Sequence, residues 1–379
     1  MKKIFYLVGF FVLAAGCKKP YEPNVHSPST GYLVVEGLIN SSGGVSTITL
    51  TRTTKLRDTV SVIYEQRAQV SIESDNNESF PLAEGVNGTY TSDTLHLNPG
   101  SKYRAKIIAG GKQYVSDYSP VRHTPEIDSI SWQREHDGVQ IYVNTHDAQN
   151  SSRYYRWTYT ETWEFHSEYL SYLDWDIDPI TGDVRGLKGR SNTDSLYKCW
   201  RTETSTNLIL GSSEKLSADK IFLPVRYISP SAEELGVRYF IRITQYALSH
   251  EAYLFYEKLK KNTEQVGSIF DPQPSEEVGN VHCMSDPNES AIGWVEVSEE
   301  KQAERFISNS EVAPWVVSAN CGIKIIYNDP DSMRTYTSDY LPLKGVTFRG
   351  LTIVTFSAAP SACVDCTLRG TNIKPAFWP

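Results

Sequence analysis

The stretch 154-YYRWTYTETWEF-165 sets the fold class. Its odd positions are Tyr155, Trp157, Tyr159, Glu161, Trp163 and Phe165, and its even positions are Arg156, Thr158, Thr160, Thr162 and Glu164. Side chains alternate between the two faces of a strand, so this period of two predicts an antiparallel strand with an aromatic face in a core. Burial alone accounts for such a face. An aromatic platform for a sugar is the alternative reading.

Strand signals of the same kind continue on both sides, and the chain is expected to be mainly β. Residues 31–124 read as one small β-sandwich, with strands at Tyr32–Ile39, Thr47–Arg52, Ala68–Glu73, Tyr103–Ile108 and Gln113–Ser116. Asn87-Gly88 and Asn98-Pro99-Gly100 supply turns between them. The order Gly88-Thr89-Tyr90, Leu95-His96-Leu97, then Pro99 to Tyr103 resembles transthyretin-like and carboxypeptidase-regulatory domains, a resemblance that implies a non-catalytic module. His123-Thr124-Pro125 marks a boundary, so residues 125–379 are expected to form a larger β-sandwich-like domain. Further strands are expected at Gly138–Val143, Lys220–Val225, Val237–Tyr246, Val278–Met284, Ala291–Val297 and Gly322–Tyr327, with a weaker helix over Glu299–Ile307. The terminal Phe377-Trp378 pair is expected to dock the end of the chain.

One amphipathic helix stands out over residues 249–262. Ser249 is the expected N-cap, and Ala252, Phe255, Tyr256 and Leu259 fall at helical spacing on one stripe. Glu257 can meet Lys261 one turn on, and Gly267, Pro272 and Pro274 close the pattern. Such a helix covers a sheet face or plugs the end of a sandwich.

Residues 168–193 interrupt the strand pattern as an acidic excursion. Tyr169, Tyr172 and Trp175, with Trp163, are candidate ligand-binding aromatics for a glycan or peptide. Asp174, Asp176, Asp178 and Asp183 are a calcium alternative, because alternating carboxylates can converge on an ion that takes six to eight oxygens. Pro179 sits where an EF-hand loop requires glycine, and Arg185 where it requires a bidentate Glu, so an exposed loop needing no metal is the expectation.

Residues 1–16 are a leader: Lys2 and Lys3, then an apolar run, then Leu13-Ala14-Ala15-Gly16-Cys17. Small residues before a cysteine form the lipoprotein cleavage pattern, so Cys17 is the expected lipidation site and membrane anchor. Residues 17–30, with three prolines, read as a tether. The formal net charge of −8 and the lack of a basic block argue against nucleic acid. Cys199, Cys283, Cys321, Cys363 and Cys366 remain after Cys17. In an oxidising compartment most of them should pair, with one left over. Cys363-Val364-Asp365-Cys366 lacks the strand-to-helix setting of a redox motif. No Gly-x-Ser-x-Gly, His-Glu-x-x-His or phosphate-cradling loop is present, and no cofactor is expected. His282 beside Cys283 suggests a thiol nucleophile less readily than a structural pair.

Taken with Leu33-Val34-Val35-Glu36-Gly37, Tyr155-Arg156-Trp157, Cys199-Trp200, Gln245 to Tyr253, Gly267 to Asp271, Asn280 to Cys283 and the Cys363 to Trp378 ending, the chain resembles a Bacteroidota family. Its members are outer-membrane lipoproteins carrying a domain of unknown function (DUF4249-like). The resemblance implies a lipid-anchored protein associated with a TonB-dependent receptor, and it brings no reaction. The alternative is a surface lipoprotein that binds glycan or peptide on its own. Lys18 to Glu22 lacks the compact acidic run that marks surface export in such bacteria, leaving the periplasmic and surface faces both open.

Overall fold

The computed structural model describes residues 31–54, 62–264, 279–317 and 320–379. The expected leader, Cys17, the expected tether and the expected helix-stop residues Gly267, Pro272 and Pro274 lie outside the described residues. The architecture is mainly β, and among the described residues the three largest cores belong to two sandwiches and a smaller third layer.

The first sandwich is one path of hydrogen-bonded strands that closes on itself. Along Leu33–Asn40, alternate residues Leu33, Val35 and Ile39 point inward with no exposure, as its period of two requires. The same alternation buries Ile48 and Leu50, Val70 and Ile72, and Ala105 and Ile107 in one core. The two ends of the path come from far along the chain. Ala291–Ser298 pairs in parallel with Leu33–Asn40, and Val281–Cys283 pairs antiparallel with Lys112–Ser116. Asn280 stitches these ends together, donating from Nδ2 to the Val295 carbonyl and accepting from the Val295 N–H, each at 2.9 Å. Gly293 is required at this joint. Its φ is +131°, and a Cβ there would lie 1.8 Å from the Val35 carbonyl oxygen.

The division at residue 124 is therefore corrected. Two strands expected in the second domain complete the first, because the open edge of Leu33–Asn40 needs a partner for its backbone groups.

The second sandwich packs the sheet of Ile127–Glu135, Gly138–Asp147 and Asp219–Ile228 against a sheet centred on Tyr154–His166. On that central strand Tyr155, Trp157, Tyr159, Trp163 and Phe165 are buried, so the rings form core and not a sugar platform. Glu161 shares their face and is satisfied: Arg226 Nε donates to it at 2.9 Å and Tyr239 Oη at 2.7 Å. Glu300–Ser308 is a strand and not a helix. It pairs along Arg238 to Tyr246, where Glu304 meets Arg242 at 2.6 Å. The tail docks as expected. Trp378 is buried against Phe306 and Trp200, and its Nε1 donates to Glu164 at 3.2 Å.

The excursion forms a hairpin, Leu173–Ile177 with Val184–Gly189, over a three-stranded sheet of Lys324–Tyr327, Tyr340–Arg349 and Thr352–Pro360. Trp175 is the pin of this third layer. Its ring meets Phe356 edge-on at 5.6 Å, and its Nε1 donates to the Tyr340 carbonyl at 2.9 Å. Disulfides join Cys199 to Cys366 and Cys321 to Cys363, and Cys283 is buried and unpaired among the described residues.

Candidate functional site at the seam between the sandwiches

The helix spans His250–Glu264 and starts as its sequence dictates. Ser249 Oγ accepts from the Ala252 N–H at 3.0 Å, and Glu257 meets Lys261 at 3.1 Å. Its stripe does not cover one sheet alone. Ala252, Phe255 and Tyr256 pack against Tyr154, Leu208 and Leu210 of the second sandwich and against Trp294 of the first. The helix thus bridges the two sandwiches, and below it the seam leaves a cavity of about 710 Å³.

Its walls are mostly apolar: Val34, Leu208, Phe255, Leu259, Ile292 and Trp294. Arg156 and Glu36 introduce charge across the seam. Arg156, from the polar face of the central strand, donates through Nη2 to Glu36 Oε1 at 2.7 Å and lies 4.7 Å over the Tyr256 ring. Burial works against the Arg156 charge, but Tyr256 and Glu36 outweigh it and hold the guanidinium above its ordinary value. Burial likewise pushes the Tyr256 hydroxyl up to about 12. The same pair lines an adjoining space of about 170 Å³, which reaches Glu296.

Glu296 is the seam's structural carboxylate. It is buried and accepts from Trp294 Nε1 at 3.0 Å, Arg122 Nε at 3.1 Å and Ser249 Oγ at 3.3 Å. Burial raises its pKa, and Arg122 and Trp294 pull it back only in part. It ties the N-cap of the helix, the returning strand and the linker between sandwiches to one point.

The residues predicted for binding fall elsewhere. Trp163 and Trp175 are buried in two different cores, which removes them as ring faces for a ligand. Tyr169 donates its hydroxyl to the Cys321 carbonyl at 2.7 Å, and Tyr172 alone of the four is exposed. Three of the four carboxylates of the calcium alternative pair with separate cations, Asp174 with Arg190, Asp178 with Arg185 and Asp183 with Arg334, and Asp176 lies on the same hairpin strand as Asp174. Among the described residues no group of three or more His, Cys, Asp or Glu is placed to hold a metal. His250 stacks on Tyr154 at 5.0 Å, and His282 pairs with Asp117.

Arg156, Glu36, Tyr256 and Trp294 were not singled out as site residues from the sequence. The signal lay in Arg156 itself, a cation on a threonine-rich strand face, and in Glu36 within Leu33-Val34-Val35-Glu36-Gly37.

Residues 18–304 match the sequence profile of a domain of unknown function, DUF4249. No curated protein matches. Among solved structures, one described as manganese lipoxygenase of Gaeumannomyces graminis with partial zonadhesin of Komagataella pastoris is 11% identical. That alignment covers 60% of this chain and 91% of the other, with a TM-score of 0.18. The B domain of a biofilm-associated protein is 7% identical over 74% of this chain and 88% of its own, at a TM-score of 0.17. A putative carbohydrate-binding protein from Bacteroides uniformis is 7% identical over 57% and 90%, at 0.12. At these scores the likenesses carry no argument about activity.

Proposed function

The chain belongs to the DUF4249 domain-of-unknown-function family, and from that premise we propose a non-catalytic, lipid-anchored binding lipoprotein of the outer membrane that serves a TonB-dependent transporter. The observation that carries the binding role is the seam cavity, an apolar space with a cation set into its wall. This combination is what a ligand site needs, an apolar body for affinity and few polar groups for orientation. The expected leader, ending at Gly16 directly before Cys17, supports the anchor. The bridging helix and Glu296 hold the site on two stiff sandwiches.

Affinity purification of the tagged full chain from solubilised outer membrane tests the role. A β-barrel transporter recovered in stoichiometric amount, and identified by mass spectrometry, is the expected result. Cys17→Ser should release the protein from the membrane fraction at high salt. Ligand binding by the body with no transporter recovered would replace the accessory role by that of a stand-alone glycan- or peptide-binding lipoprotein. Retention of Cys17→Ser in the membrane would show that lipid is not the anchor.

A further inference from the structure

Resting on the seam as a binding site, we propose that its ligand is an amphiphile with one anionic head group, and that this head displaces Glu36 from Arg156. The apolar body would lie along Phe255, Leu259, Ile292 and Trp294, which line the cavity. Arg156 is the one cation among the described residues lining that space. Thr158 and Ser205 share the lining and supply hydroxyls to a head group with more than one oxygen.

The two ends of the ion pair are unequal. The Arg156 side chain is 19% exposed, whereas that of Glu36 is 61% exposed. Glu36 can therefore turn into water at little cost, since an ion pair with a solvated end contributes little. Arg156 cannot follow, because the ring of Tyr256 lies against it and its strand is central in the sheet. A carboxylate or sulfonate carried in by an apolar body would meet the guanidinium in drier surroundings, where a charge-assisted pair is stronger. A neutral ligand would have to leave the Arg156–Glu36 pair in place, and a cationic one would face Arg156. The exchange also removes an ion pair that crosses the seam, so loaded and empty states differ in how the sandwiches are tied.

The test uses the full chain carrying Cys17→Ser, which has no acyl chains of its own to compete. It is titrated with parinaric acid and with parinaric acid methyl ester, whose polyene brightens on leaving water. The acid is expected to bind about tenfold more tightly than the ester or better, equivalent to about 1.4 kcal/mol. Glu36→Gln should tighten the acid and leave the ester unchanged, and Arg156→Met should bring the acid down to the ester. Ile292→Trp, which fills the cavity without touching the ion pair, should abolish both. Equal binding of acid and ester, or weaker acid binding by Glu36→Gln, overturns the ligand class and leaves the seam as a binding site. Absence of saturable binding for either probe, or binding indifferent to Ile292→Trp, overturns the seam itself. If Arg156→Met fails to fold, the acid-to-ester ratio and Glu36→Gln decide alone.

Discussion

Phe255→Ala measures whether the bridging helix is core or surface. The ring is 7% exposed, meets Tyr256 edge-on at 5.3 Å and lies 5.7 Å from the Trp294 ring across the seam. Truncating a buried Phe costs about 3–5 kcal/mol, of which part is transfer of the ring to water and part the void left behind. Phe255 already borders the seam cavity, so some of its surface has no neighbours to lose. The expected cost is accordingly near the lower bound, about 3 kcal/mol. Urea unfolding followed by tryptophan fluorescence reads it directly. With a slope of about 3 kcal/mol per molar, the midpoint should fall by about 1 M at constant slope. Leu254→Ala, on a residue 39% exposed one position away, should stay within about 0.5 kcal/mol. An unchanged midpoint for Phe255→Ala, with loss of a co-purifying transporter, would mean that the stripe faces another protein.

Two further outcomes follow from the buried charges. Arg226→Met strips the buried Glu161 carboxyl of its guanidinium partner and leaves it the Tyr239 hydroxyl alone, and should cost about 3–5 kcal/mol, visible as a fall in melting temperature. Replacing Glu161 by Met in the same chain should recover most of it. Asp147 concerns acid stability. Burial alone would raise its pKa, but hydrogen bonds from Ser151, Ser152 and Gln149 hold it at about 2, against an ordinary 3.8. The unfolded chain protonates first as pH falls, so the native state gains about 2 kcal/mol above pH 4 and loses that gain between about pH 4 and pH 2. Asp147→Asn should flatten the acid limb of a stability–pH curve across that window, and an unchanged limb would contradict the assignment.

What could be read locally was read from the residues. The aromatic alternation of Tyr154 to Phe165 and the helical stripe from Ala252 to Leu259 are short-range patterns, and each specifies its element without help from elsewhere. Glu300–Ser308 misleads because its charged residues recur at spacings that suit a helix as well as a strand, and the long partner Arg238–Ala247 decides between them. Trp163 and Trp175 look alike as exposed-ligand candidates in sequence, since no local pattern states which core will cover a ring. The site was hidden for a related reason. Glu36 and Arg156 are 120 residues apart, and only the docking of one sandwich on the other brings them within 2.7 Å.

The returning strand Ala291–Ser298 has a consequence for how the chain is made. Its partner Leu33–Asn40 emerges from the ribosome early and must wait until nearly all of the second sandwich has been synthesised. Throughout that interval the first sandwich has two raw edges, one on Leu33–Asn40 and one on Lys112–Ser116, each ready to recruit a wrong strand. Non-local parallel pairing of this kind is slow to form, because a long loop must close before any contact rewards it. A fragment stopped at residue 124 would keep both edges for good. The sensible unit for expression therefore runs past Ser298, and a holdase acting on the nascent chain would find its substrate between Leu33 and Ser116, well before the seam exists.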